Sequence, residues 1–202
     1  MKLILASQSP RRKLLLEQMG LVFDTVPSNF EEEFDQNKTS AEVAMELGMG
    51  KARAVAEKYP DAIVIGGDLV VDLDGVQLGK PESPEEACEM LKDFSGRSHD
   101  ILTSVAVVCK EKNYEKVAVE KSTITFGDMT DDQIWEFVNE RKPYDLGGGY
   151  AIQHPLIKPH VKNIEGRIDT IIGMPTNLIV KFLKDFDYYL EPIEITGKEQ
   201  II

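Results

Sequence analysis

Residues 62–78, AIVIGGDLVVDLDGVQL, constrain the fold more than any other stretch of this chain. Residues 62–65 form a short apolar run closed by Gly66, Gly67 and Asp68, the pattern of a strand buried on both faces. No helix follows. Residues 69–78 read instead as a hairpin with Asp74-Gly75 at its turn. A strand that runs straight into a hairpin breaks the strand–helix alternation that an all-parallel sheet requires. The expected fold class is therefore α/β with a mixed sheet and flanking helices.

The flanking segments fill in that frame. Residues 2–6 read as a short apolar strand and residues 21–27 as a second. Between them, Ser9 has the profile of an N-cap and Pro10 suits the first helical position. Leu14, Leu15, Leu16 and Met19 give this helix an apolar face, and Gly20 closes it. Thr39 with Glu42 is a capping box for a helix reaching about Tyr59, where Pro60 stops it. Ser83, Pro84 and Glu86 announce another helix by the same chemistry. Residues 99–126 read as two long antiparallel strands around the turn at 110–114. They suggest a second lobe, with a deep cleft between the lobes as the natural site. Thr130 and Gln133 open a helix holding Ile134, Trp135, Phe137 and Val138. The glycine-rich DLGGGYAIQ follows, and Pro175-Thr176 lead into a last helix through about Phe186. Residues 1–186 are expected as a single domain, leaving residues 187–202 as an unassigned tail.

Composition narrows the class. An apolar fraction of 42% and a charged fraction of 29% over 202 residues describe a globular chain. No apolar run reaches the roughly 20 residues of a membrane span. The N-terminus MKLILASQSPRRKLL has too short an apolar core for a signal peptide, so a cytoplasmic protein without a membrane partner is expected. Cys88 and Cys109 share no motif spacing; small core residues are expected, not a disulfide or a zinc site. The formal net charge of -12 argues against nucleic acid as a partner. It leaves room for a small anionic substrate held by a local cluster of Lys and Arg, with a divalent ion to offset nearby carboxylates.

Several residues stand out for their chemistry. Arg11 and Arg12 fall in the first turn of a helix, where cations are unfavourable by roughly 0.3–1 kcal/mol each. Backbone N–H groups, hydroxyls and two guanidinium forks there suit a polyanion; a solvated charge pair is the plainer reading. Asp68 ends a buried strand after two glycines. It either begins a turn or serves as a metal ligand or general base. Lys80 leaves the hairpin and suits phosphate. Lys51 has small neighbours, Gly50 and Ala52, that leave room for a ligand, although a solvated helix lysine is the simpler reading. Arg97 suits a phosphate clamp, and His99 a structural hydrogen bond to a loop. His99, His154 and His160 have no metal-ligand spacing. In DLGGGYAIQ the glycines would let the backbone approach a flat ligand, with Tyr150 or Gln153 near its edge; a plain glycine turn is the alternative. Neither a GxxxxGKS loop nor a strand-anchored GxGxxG is present.

Taken in order, LASQSPRR, GKARAV, GGDLVVDLDG, LGKP, FSGRSHDILTSVAV, YDLGGGYAIQ and GRIDTIIGMPTNLI resemble the Maf family of nucleotide pyrophosphatases over most of residues 2–184. The resemblance implies a fold related to the inosine triphosphate pyrophosphatases, with an extended, twisted mixed sheet in a homodimer. It implies hydrolysis of a nucleoside triphosphate to the monophosphate and pyrophosphate with a divalent cation, Mg²⁺ or Mn²⁺. By position, Asp68 matches the family's general-base or metal-linked carboxylate, and Glu32 its acidic-loop glutamate. Ser9, Arg11, Arg12, Lys51 and Lys80 match its phosphate-binding groups. Arg12, Leu69 and Gln153 fall at base-specificity positions of the branch that favours dTTP and UTP. Leu69 replaces the usual Thr, Leu146 the usual Lys, and His154 the usual Gly. Two alternatives stand beside this: a purine-selective or modified-nucleotide pyrophosphatase, and a non-enzymatic nucleotide-binding regulator of cell division.

Overall fold

The computed structural model describes residues 1–31 and 35–194. In chain order its elements begin with β1 (Leu3–Leu5), α1 (Pro10–Gln18), β2 (Asp24–Thr25), α2 (Ser40–Ala56) and β3 (Ile63–Gly66). β4 (Leu69–Leu73), β5 (Val76–Leu78), α3 (Pro84–Phe94), β6 (Ser98–Cys109) and β7 (Tyr114–Phe126) come next. α4 (Asp131–Arg141), β8 (Val161–Glu165), α5 (Ile168–Ile172) and α6 (Thr176–Leu183) complete it. Two compact units are formed, and β6 and β7 each run on from one into the other.

The first unit comprises residues 1–69, 102–120 and 169–194. Its strands lie in the order β2-β1-β3-β6. β1 pairs parallel with β2 and with β3, Leu3 facing Ile63 and Leu5 facing Ile65. β3 pairs antiparallel with β6, Gly66 facing Ala106. The sheet is thus mixed, as the run into the hairpin requires. The parallel pairing of β1 and β3 also brings the segments after Leu5 and after Gly66 out at the same edge, where α/β sites gather. A core of Ile4, Ala6, Ala52, Val55, Val64, Ala106 and Val108 joins α2 to this sheet. α2 begins with the expected capping box, Thr39 and Glu42 satisfying each other's backbone N–H groups.

The second unit comprises residues 70–101 and 121–168 of those described. β4 and β5 form the expected hairpin, with Asp74 at φ 53° and Gly75 at φ 85° in its turn. β7 pairs with β6 and antiparallel with β8. Thr130 and Gln133 form a second capping box at α4. Cys88 and Cys109 are free and buried, one in each unit.

Three local expectations need correction. Leu14 is 53% exposed, and α1 buries only Leu15 and Leu16; a helix this short turns only a narrow stripe inward. β2 spans just Asp24–Thr25. At α3, Ser83 accepts the Glu86 N–H as expected, but the Glu86 carboxylate accepts the N–H of Glu82, one residue before the cap. Among the described residues no helix is long and apolar enough to cross a membrane.

Candidate active site

The carboxyl ends of β1 and β3 carry the chemistry. After β1 the chain turns into α1 with Ser9 as its N-cap, the hydroxyl accepting the Arg12 N–H at 3.4 Å. Ser7, which the sequence did not single out, organises this turn. Its Oγ accepts the Ser9 N–H at 3.1 Å and the Arg12 Nη1–H at 3.3 Å. Arg12 Nε donates to the Gly173 carbonyl at 2.9 Å, so the guanidinium is oriented from two sides. α1 has no acidic residue in its first turn. Arg11 and Arg12 therefore add their charge to the positive end of the helix dipole, an anion-attracting arrangement.

After β3, Asp68 is 6% exposed. Lys51 Nζ donates to its Oδ1 at 2.5 Å, with the two side chains only 10% and 9% exposed. The solvated helix lysine is thereby corrected: Lys51 lies on the stripe of α2 that also buries Leu47, Gly48, Ala52 and Val55. Burying either charge alone would cost several kcal/mol, so each is kept inside by the other. The geometry depends on a close approach of α2 to β3. A Cβ on Gly66 would stand 2.6 Å from the Gly48 carbonyl oxygen and 2.8 Å from the Ala52 nitrogen.

Leu69 follows directly and is partly buried. A Cβ on Gly173 would lie 3.6 Å from Leu69 Cδ1 and 3.7 Å from Arg12 Nε, so the leucine and the arginine flank the same backbone point. The first unit thus gathers six of the expected site residues: Ser9, Arg11, Arg12, Lys51, Asp68 and Leu69. Glu32 lies outside the described residues.

Lys80 and Gln153 belong to the second unit, where Lys80 is exposed and Gln153 partly buried. Three other candidates there have partners within the unit, and one of them is thereby overturned. Arg97 pairs with Asp74 on the hairpin turn and donates to the Asp93 carbonyl, both partners lying at the exposed surface. Two of the glycine-loop N–H groups are used internally, Gly148 on the Gly79 carbonyl at 2.9 Å and Gly149 on that of Leu146 at 3.0 Å. Tyr150 is core, not a ligand edge: it is 6% exposed and its hydroxyl meets His99 Nε2 at 2.5 Å. His99 is thus the structural histidine expected. Burial lowers its pKa from 6.5 to about 4 and raises that of Tyr150 well above the ordinary value. Leu146 is 1% exposed, an apolar core position.

The Maf-like protein family model matches residues 2–186. The chain belongs to the Maf family. A dTTP/UTP pyrophosphatase of Syntrophus aciditrophicus is 39% identical over 184 residues, which covers 91% of this chain and 89% of that protein. One of Bacillus cereus is 39% identical over 186 residues, 92% of this chain and 96% of its own. A solved structure, the Staphylococcus aureus Ham1 protein, aligns with a TM-score of 0.42 at 17% identity over 65% of this chain and 73% of that one. Membership accounts for the order of motifs from SPRR to GMP along the chain. The parts of Ser7 and Gly173 follow from their hydrogen bonds to Arg12.

Proposed function

We propose that this Maf protein is a nucleoside triphosphate pyrophosphatase that cleaves between the α and β phosphates, releasing a nucleoside monophosphate and pyrophosphate, with dTTP and UTP as substrates. The observation that carries the reading is the Asp68 carboxylate, fixed by Lys51 at the end of β3, where the neighbouring parallel strand β1 leads into the cationic start of α1. A carboxylate beside clustered cations at a strand edge suits attack of water on a phosphorus. Kinship with proteins named dTTP/UTP pyrophosphatase supports the choice of nucleotide.

In this mechanism Asp68 orients the attacking water and takes its proton. Arg11, Arg12 and Lys80 hold the phosphates and offset the charge that develops on the bridging oxygen and the departing pyrophosphate. Ser9 assists at the helix start, and Lys51 completes the phosphate-facing set while gripping Asp68. Gln153 reads the base edge with its donor and acceptor, and Arg12 and Leu69 shape the rest of the base preference.

A divalent cation, Mg²⁺ or Mn²⁺, belongs to the proposal. Among the described residues no group of three His, Cys, Asp or Glu offers a cage. Asp68, a hard carboxylate, would hold such an ion, with Glu32, which lies outside the described residues, as the proposed second ligand. Bound there, it would supply further positive charge to the triphosphate. A homodimer and a cytoplasmic setting are carried by the same family reading.

The test is pyrophosphate release across canonical and modified triphosphates with Mg²⁺ and with Mn²⁺. dTTP and UTP are expected to give the highest kcat/KM. A purine or 7-methyl-GTP as the best substrate overturns the branch. No release from any nucleotide overturns the enzymatic reading and favours a nucleotide-binding regulator.

A further inference from the structure

Ser104 is fully buried on β6, opposite the end of β3. Three of its hydrogen bonds converge on the site. Its Oγ accepts the Asp68 N–H at 3.0 Å, and its own N–H donates to the Asp68 carbonyl at 2.8 Å. The same hydroxyl donates to the Ala44 carbonyl of α2 at 2.5 Å. One side chain therefore holds both halves of the buried ion pair: the backbone of Asp68 directly, and through Ala44 the helix that carries Lys51. Space for this hydroxyl exists because residue 48 is glycine. A Cβ there would stand 2.3 Å from Ser104 Oγ and 3.3 Å from the Asp68 nitrogen. A serine in a β-strand core is ordinarily replaceable, but this one has its donor and an acceptor lone pair committed on opposite sides.

We infer that Ser104 is a positioning residue for Asp68, tying the end of β3 to α2 so that the carboxylate meets water at a fixed angle. The inference rests on the pyrophosphatase reading of Asp68. Without the hydroxyl, the Asp68 N–H is buried without its acceptor and the residue that follows the Gly66 contact loses its side-chain tie to α2, so the carboxylate can tilt. A misplaced base slows the chemical step and leaves ground-state binding of the nucleotide alone.

The experiment measures kcat, KM and melting temperature for the native chain, Ser104→Ala and Gly48→Ala, each also in an Asp68→Asn background. Ser104→Ala is expected to lower kcat about tenfold with KM changed by less than about twofold. Gly48→Ala, whose Cβ would crowd the same hydroxyl at 2.3 Å and the backbone of Gly67 and Asp68 at 3.2 and 3.3 Å, is expected to lower kcat at least as far. In the Asp68→Asn background neither change should lower the residual turnover further. Ser104→Cys, a near-isostere with a weak donor, should retain intermediate kcat, and it carries the test if Ser104→Ala does not fold. Native kcat in Ser104→Ala beside an inactive Asp68→Asn overturns this inference alone. An equal fold-loss with and without the Asp68 carboxylate also overturns it, making Ser104 merely structural. An inactive native chain overturns the functional reading beneath it.

Discussion

Two of the buried polar residues on β6, His99 and Ser104, sit in surroundings kept inside in opposite ways. Near its start, in the second unit, His99 lies among Phe94, Phe126 and Tyr150, its ring 4.1 Å from that of Phe94. Its Nδ1 is buried without a hydrogen-bond partner, so a second ring proton would have no acceptor. Neutrality and aromatic packing hold it. Five residues on, in the first unit, Ser104 supports a pair of full charges, Asp68 and Lys51. Desolvating two charges is costly, and apolar residues of similar size are often as stabilising or more so. A chain needing only stability has no use for the second arrangement. The contrast separates a polar group buried for architecture from one buried for chemistry.

The largest expected effect lies on the charged side. Asp68→Asn should lower kcat by about 10²–10⁴-fold, the range for a positioned acid–base group, and also lower stability, since the neutral amide accepts from Lys51 without matching its charge. Turnover close to native would erase the distinction between the two regions. Lys51→Met should destabilise by about 3–5 kcal/mol, since it leaves a buried carboxylate without its countercharge. Urea denaturation measures this; a native midpoint would mean that the pair is effectively hydrated.

On the neutral side the test is pH. His99 stays uncharged in the folded chain down to about pH 4, whereas the unfolded chain takes up its proton near 6.5. Between those values the unfolded state binds more protons, so stability falls as pH drops and is fully present above about 6.5. The effect should reach about 3 kcal/mol by pH 4, moderated by the Asp100 charge, which favours protonation. His99→Gln should flatten that part of the profile while leaving kcat at neutral pH unchanged. An identical profile in the variant would show that another group titrates there.

The smallest effect concerns Leu69. Leu69→Thr adds a hydroxyl beside the Arg12–Gly173 contact and should change the dTTP/UTP preference over CTP by roughly threefold to tenfold, the worth of one neutral hydrogen bond. Unchanged kcat/KM ratios would show that position 69 does not read the base.

Much of this was legible in the sequence because it is local. Caps, the Asp74-Gly75 turn and the Gly-Gly-Asp strand end are written within four residues of one another, and the structure has them. The arginine pair was legible too, since a helix start without carboxylates is visible in SPRRKLL. Lys51 could have been placed: it sits four residues from both Leu47 and Val55, on the apolar stripe, and a charge there needs a buried partner. Ser104, Gly173 and the His99–Tyr150 contact could not. Each depends on residues dozens of positions away, and serine, glycine and histidine carry no periodic signal. The ligand-edge reading of Tyr150 failed for the same reason, since a tyrosine after three glycines looks alike whether its ring turns inward or out.

The Gly66 contact with α2 has a mechanical consequence. There the backbone of β3 rests on the backbone of α2, at Gly48 and Ala52, with no side chain between to change rotamer. Atoms packed this way do not yield by degrees. The helix and the strand end that carry Lys51 and Asp68 move as one stiff body. On the other half of the strand edge Arg12 is held by hydrogen bonds to Gly173, Ser7 and Ser9, contacts of side chain and loop with no backbone-on-backbone packing of this kind between them. The carboxylate is thus the fixed point of reference against which a bound triphosphate would be placed.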